Sequence, residues 1–128
     1  MNLLLDTHIL LWASTDPARL SKSAALLLAN TENTLIFSAA SLWEIAIKLQ
    51  LGRDDFQIDP RLLRRGLLDN GYHELAITSA HSLAVLDLPP LHRDPFDRLL
   101  IAQAKCEGFT LMTADALVAQ YPITITRA

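Results

Sequence analysis

Hydrophobic and polar positions along this chain follow two alternating periods. The short apolar runs Leu3-Leu4-Leu5, Leu35-Ile36-Phe37 and Thr110-Leu111-Met112 have the length of strands covered on both faces. Two weaker runs, Glu74 to Ile77 and Ile123 to Thr126, read as edge strands. Helical spacing fills the intervals: about Ile9 to Ala13, Ser21 to Ala29, Leu42 to Leu51, Arg61 to Asn70, Ser79 to Val85 and Pro95 to Glu107. Strands that alternate with helices imply right-handed crossovers and a parallel sheet. The expected fold is α/β, a three-layer α/β/α sandwich around a mainly parallel sheet. Pro89-Pro90 interrupts the chain before the last long helix without marking a boundary, so residues 1–128 are expected to form one domain.

Composition narrows this picture. With 51% hydrophobic and 20% charged residues and a mean hydropathy of +0.24, disorder is excluded. A chain of 128 residues buries roughly two thirds of its surface on folding. No apolar run approaches the ~20 residues of a membrane span, and no basic signal region opens the sequence, so a cytoplasmic protein without membrane attachment is expected. One cysteine, Cys106, precludes an internal disulfide and a cysteine zinc cage, and is expected to be a small buried hydrophobe. The net charge of −3 argues against bulk electrostatic binding of nucleic acid but leaves room for a local basic groove. Eight of the eleven cations are Arg, the better bidentate phosphate donor.

In such a sheet, ligands bind outside the carboxyl ends of the strands, where the following helices begin. Four acids fall at that edge. Asp6 follows the first strand, Glu44 lies near the start of the helix after Leu35 to Phe37, Asp97 sits in the first turn of the helix opened by Asp94-Pro95, and Asp115 follows Thr110 to Met112. Each has a structural explanation as well. Asp94, Pro95 and Asp97 fit an ordinary helix start, Ser41 to Glu44 reads as a capping box, Glu44 can pair with Lys48, Asp115 can cap the next helix, and Asp6 can close an Asx-turn. Asp97 is distinguished by its helical neighbours Leu100, Ile101 and Ala104, which place it along an apolar stripe. The stripe of Leu42, Ile45, Ala46 and Leu49 faces away from Glu44, which on this ground alone reads as structural.

Carboxylates about 6 Å apart repel by roughly 3 kcal/mol per pair at an effective dielectric of ~20. Crowding four of them requires a cation or bound protons. All-oxygen ligands suit Mg²⁺, with Mn²⁺ as substitute, and such an ion supports phosphodiester hydrolysis.

The residues also carry a resemblance. Leu3-Leu4-Leu5-Asp6-Thr7-His8 with Trp12, and Ser41-Leu42-Trp43-Glu44-Ile45-Ala46-Ile47-Lys48, resemble the first two motifs of PIN-domain ribonucleases. Asp94-Pro95-Phe96-Asp97-Arg98-Leu99-Leu100-Ile101-Ala102-Gln103-Ala104 resembles the third, and Leu111-Met112-Thr113-Ala114-Asp115 the fourth. Size and motif order are similar to those of VapC toxins of bacterial type II toxin–antitoxin modules. The resemblance implies that Asp6, Glu44, Asp97 and Asp115 form the metal-binding acidic site, against the structural reading of Glu44. It puts Thr113 beside that site, where capping the next helix is an equal alternative. It further implies Mg²⁺-dependent endonucleolytic cleavage of RNA, a homodimer, and inhibition by a cognate antitoxin that fills the acidic groove. Asp6 and Asp97 are the first candidates for direct ligands.

Other residues carry weaker signals. Arg61, Arg64 and Arg65 share one helical face opposite Leu62, Leu63 and Leu67, as a solvated face or a phosphate-binding rim. Arg93 and Arg98 flank the acids and could contact RNA, and Arg98 could equally neutralise Asp94 or Asp97. His8 reads as a packing residue near a helix start, and His73, His81 and His92 have no metal-ligand spacing to one another. Trp12 and Trp43 are expected in the core or an interface. Other phosphoryl-transfer classes fit less well: a haloacid-dehalogenase-like phosphatase wants a second Asp where His8 stands, and a receiver domain wants an adjacent acidic pair after the first strand. The non-enzyme alternative is a binding module of the same fold whose acids only cap helices.

Overall fold

The computed structural model describes residues 1–128. Five strands form one sheet in the order β3-β2-β1-β4-β5: β1 (Asn2–Leu5), β2 (Thr34–Ser38), β3 (His73–Leu75), β4 (Thr110–Thr113) and β5 (Ile125–Arg127). All four pairings are parallel, with Leu4 opposite Ile36 on one side and Leu111 on the other. The two weakly patterned strands are indeed the edges. Their apolar runs are short because one flank of each lies open to solvent.

Six α-helices connect them: α1 (Thr7–Thr15), α2 (Lys22–Ala29), α3 (Ala39–Gln50), α4 (Pro60–Asp69), α5 (Ser79–Ala84) and α6 (Pro95–Glu107). The pleat of β1 sorts the core into two halves. Leu3 and Leu5 pack with Ile9, Leu10, Phe37, Phe56 and Leu63 on the face covered by α1, α2 and α4. Leu4 packs with Ile36, Leu100, Ile101 and Leu111 on the face covered by α6. Helices on both faces make the expected α/β/α sandwich. No helix is long and apolar enough to cross a membrane.

Three local expectations are corrected. α3 starts at Ala39, capped by Ser38, whose hydroxyl accepts from Ala40 N, so Ser41 to Glu44 is not a capping box. Cys106 is exposed, because the buried stretch of α6 from Leu100 to Ala104 has by then rotated past it. Leu62 is 65% exposed, so only Leu63 and Leu67 anchor α4.

Strand order fixes where a site can form. From β1 the chain winds outward to β2 and β3, then crosses back to β4 on the other side of β1. The crevice between the carboxyl ends of β1 and β4 is therefore the switch point of the sheet. Asp6 and Asp115 lie there, and Asp6 N donates to Met112 O at 3.0 Å.

Candidate active site

Asp6, Glu44, Asp97 and Asp115 line one cavity of about 400 Å³, together with Asp94, His92, Lys48, His8 and Trp12. Four elements bring the acids together: the β1–α1 junction, α3, α6 and the segment after β4.

Asp6 is buried, and its Oδ1 caps α1 by accepting from Ile9 N at 2.9 Å. Asp115 divides its oxygens in the same way. Oδ1 accepts from Leu117 N at 2.8 Å, while Oδ2 faces His92 Nε2 at 3.4 Å. The expected caps are present at both acids, and Asp115 keeps its second oxygen toward His92. Asp94 caps α6, accepting from Phe96 N and Asp97 N, and so leaves Asp97 free of capping duty. The side chain of Asp97 is 21% exposed, and the helical positions that follow it on the stripe, Leu100, Ile101 and Ala104, are buried.

Glu44 is 2% exposed, deeper than its pattern suggested. α3 buries Ala40, Ser41, Glu44 and Ile45, a face too polar and too small to register as an apolar stripe. Lys48 Nζ holds Glu44 Oε2 at 2.5 Å, while Oε1 is buried with no partner at all.

Burial raises the carboxyl of Asp97 to about 7, with further push from the charges of Asp94, Glu44 and Asp6 and partial relief from His92. Burial also raises Asp6, opposed by hydrogen bonds from the Thr113 hydroxyl and Ile9 N–H. The fully buried Thr113 additionally accepts from Asp115 N at 3.0 Å. Thr113 thus stands between Asp6 and the turn after β4, while the cap of that turn falls to Asp115.

Sequence reasoning passed over His92. Its Nε2 lies 2.8 Å from Asp97 Oδ2, close but poorly aligned for an N–H···O bond, and its Nδ1 accepts from Asp94 N at 3.4 Å. Ligand atoms of His92, Asp97 and Asp115 lie within 4.8 Å of one another, a spacing that fits a cation. The available signal was its place two residues before the Asp94 cap, at the edge where the acids gather.

The arginines separate. Arg98 is turned away from the acids. It donates to the carbonyls of Val85, Pro89 and His92 and to Tyr121 Oη, which ties α6 to the loop before it. Arg93 is exposed, makes no ion pair, and lines a neighbouring cavity of about 410 Å³ with Trp43, Phe96 and Leu99. Arg64 is engaged with Glu74 at 2.9 Å, whereas Arg61 and Arg65 stay exposed. None of these three lines the acidic cavity. Trp12 is half-buried, with Arg19 stacked 4.6 Å over its ring. Trp43 is 57% exposed and meets Phe96 edge-on at 5.2 Å, so it is no core residue.

Comparison with known proteins agrees with this arrangement. The PIN domain family model matches residues 3–123. Ribonuclease VapC22 of Mycobacterium tuberculosis is 30% identical over 127 residues, covering 95% of this chain and 96% of that protein. Among solved structures, VapBC2 of Rickettsia felis bound to a promoter DNA fragment aligns over 100% of this chain and 99% of its own, with a TM-score of 0.74 at 18% identity. DNA-bound VapBC from Salmonella typhimurium gives 0.67 at 13% identity, over 99% of this chain and 98% of its own. A parallel sheet of this order, acids gathered at its switch point and a family match along nearly the whole length make the chain a member of the PIN-domain family, of the VapC type.

Proposed function

We propose that this chain is the toxin of a type II toxin–antitoxin module: a metal-dependent endoribonuclease that hydrolyses RNA phosphodiester bonds and is neutralised by a cognate antitoxin. The observation that carries the metal requirement is Glu44 Oε1, a buried carboxylate oxygen without a donor, in the same cavity as four further acids. An orphaned buried acceptor costs about 1–3 kcal/mol, more when charged, and a cation removes that cost. The cavity offers five carboxylates and no thiolate, with His92 the one imidazole at ligand distance from the acids, which suits Mg²⁺ or Mn²⁺.

Asp6 and Asp97 are the residues we assign to hold the ion, with Glu44 and Asp115 completing the cage directly or through water. Such an ion supplies an activated water for attack on phosphorus and positive charge for the phosphate oxygens. The chain's own groups prepare the site. Lys48 occupies Glu44 Oε2 and leaves the buried Oε1 without a donor. The Thr113 hydroxyl supports Asp6 in its ionised form. Without a cation Asp97 holds a proton for much of the time near pH 7, and His92 Nε2 lies 2.8 Å from its Oδ2. Arg93, exposed and unpaired beside the cavity, is the residue we assign to the RNA backbone.

RNA as substrate follows from the ribonuclease relative, and a protein antitoxin from the VapBC complexes among the structural neighbours. The acidic cavity suits a basic antitoxin side chain. A second copy of the chain is the occupant we assign to the apolar surface of exposed Trp43 and half-buried Phe96.

The test is cleavage of total cellular RNA by purified, antitoxin-free protein in Mg²⁺ or Mn²⁺ against EDTA, alongside Asp97→Asn. Discrete fragments that need metal and vanish in the folded variant support the nuclease. Equal cleavage by the variant indicates a contaminant. Absence of any cleavage favours the binding module, whose acids only cap helices.

A further inference from the structure

α3 carries Glu44, and two buried side-chain bonds tie this helix to the elements on either side of the cavity. Thr7 Oγ1 donates to Ser41 Oγ at 3.0 Å, with the residues 2% and 1% exposed. On the other flank Ser38 Oγ donates to Gln103 Oε1 at 2.5 Å, and both residues are fully buried. Thr7 directly follows Asp6, Ser41 lies one helical turn before Glu44, and Gln103 belongs to the helix that bears Asp97. The Thr7–Ser41 bond is the one side-chain hydrogen bond between α1 and α3.

Packing does not require these hydroxyls. An apolar pair would fill the same volume without the penalty of burying polar groups. A hydrogen bond differs from apolar contact in its narrow range of length and angle, so it fixes how one helix is rotated and raised against another. That matters for Glu44. Its Oε2 is committed to Lys48 and its Oε1 has no partner, so nothing on the acid side locates the carboxylate. The setting of α3 is what locates it.

We propose that Thr7 and Ser41 form a positioning clasp that sets Glu44 against Asp6 and so fixes the width of the carboxylate cage, with Ser38–Gln103 bracing the opposite flank. Neither hydroxyl of the clasp lines the cavity, so both act through the acids they place. The proposal rests on the reading of this cavity as a divalent-metal centre and assigns that centre its supporting shell.

Calorimetric titration with Mn²⁺, paired with thermal unfolding in EDTA, tests it on wild type, Thr7→Val, Thr7→Ser and Ser41→Ala. Thr7→Val keeps the shape and loses the donor, and roughly ten-fold weaker Mn²⁺ binding is expected, in the range of second-sphere losses. Thr7→Ser restores the donor and is expected within about two-fold of wild type. The double variant Thr7→Val with Ser41→Ala should bind no more weakly than either single one, because both remove the same bond. Should Thr7→Val fail to fold, Ser41→Ala leaves α1 intact and carries the same expectation. Wild-type affinity in Thr7→Val or Ser41→Ala, or no recovery in Thr7→Ser, overturns the clasp. Absence of Mn²⁺ binding by wild type overturns instead the metal reading beneath it.

Discussion

Asp97 concentrates the electrostatics of this molecule. Its carboxyl stands at about 7 in the folded chain against 3.8 for an ordinary Asp, so between those values the folded state binds more protons than the unfolded one. Stability from this group is fully present below about pH 4 and is lost as pH rises through about 7. In EDTA the melting temperature is therefore expected to fall between pH 5 and pH 8, and Mn²⁺ at pH 8 to restore it. Asp97→Asn removes the titration. The shift sets an upper bound of about 4 kcal/mol, and solvent reaching a 21% exposed side chain reduces it, so a gain of ~1–2 kcal/mol at pH 8 is expected in urea unfolding without metal. An Asn variant no more stable than wild type at pH 8 would remove the case for crowded charge. Asp97 was legible in the sequence because the apolar positions after it betray its direction. The motif resemblance named Glu44, but periodicity missed its burial, because the face it shares with Ala40 and Ser41 carries little hydropathy. His92 stands in a loop whose distance to the acids only the fold decides.

Among the elements, the central strands and α6 were readable because continuous burial leaves continuous apolar runs and a Pro at the first helical turn marks the start. The start of α3 was displaced because Ala39, Ala40 and Ser41 give no periodic signal, while the true cap, Ser38, is also the last residue of β2. The link between α6 and the segment before it was equally hidden. Arg98 resembled a substrate contact from its position beside Asp97, yet its guanidinium satisfies three carbonyls and a tyrosine hydroxyl. Arg98→Leu leaves those acceptors unpaired and is expected to cost about 2–4 kcal/mol. The salt dependence of RNA binding should not change, whereas Arg93→Ala should flatten it by about one phosphate contact. A flattened salt slope in Arg98→Leu, measured below its melting temperature, would return that residue to the RNA path.

For the molecule as a whole, the sheet's switch point and the aromatic pair of exposed Trp43 and half-buried Phe96 lie near each other, since each immediately precedes a cavity acid. A second copy seated on that surface would hold two acidic cavities within one assembly. Trp43→Asp places a charge in the proposed interface, and light scattering at micromolar concentration is expected to give a monomer where wild type gives a dimer. A wild-type monomer at that concentration would refute the dimer. The three-layer architecture could be read from alternating periods alone, but the apolar surface could not, because exposure of Trp43 depends on which neighbours the fold supplies.

The division of labour within single carboxylates has an evolutionary consequence. Asp6 and Asp115 each give one oxygen to a backbone cap, and the second oxygen of Asp115 faces His92, so fold and proposed chemistry draw on adjacent atoms of one group. Asn at either position keeps the capping oxygen and replaces only its twin with an amide donor, whereas Ala removes both. A cell under pressure to disarm a harmful nuclease thus has a single-step route that spares the folded chain and every surface an inhibitor would hold. Asp6→Asn is expected to melt within a few degrees of wild type while failing to cleave RNA, and Asp6→Ala to lose about 1 kcal/mol more in denaturant unfolding. Silent relatives of this protein should accordingly carry amides at the carboxyl edge of an otherwise intact sheet.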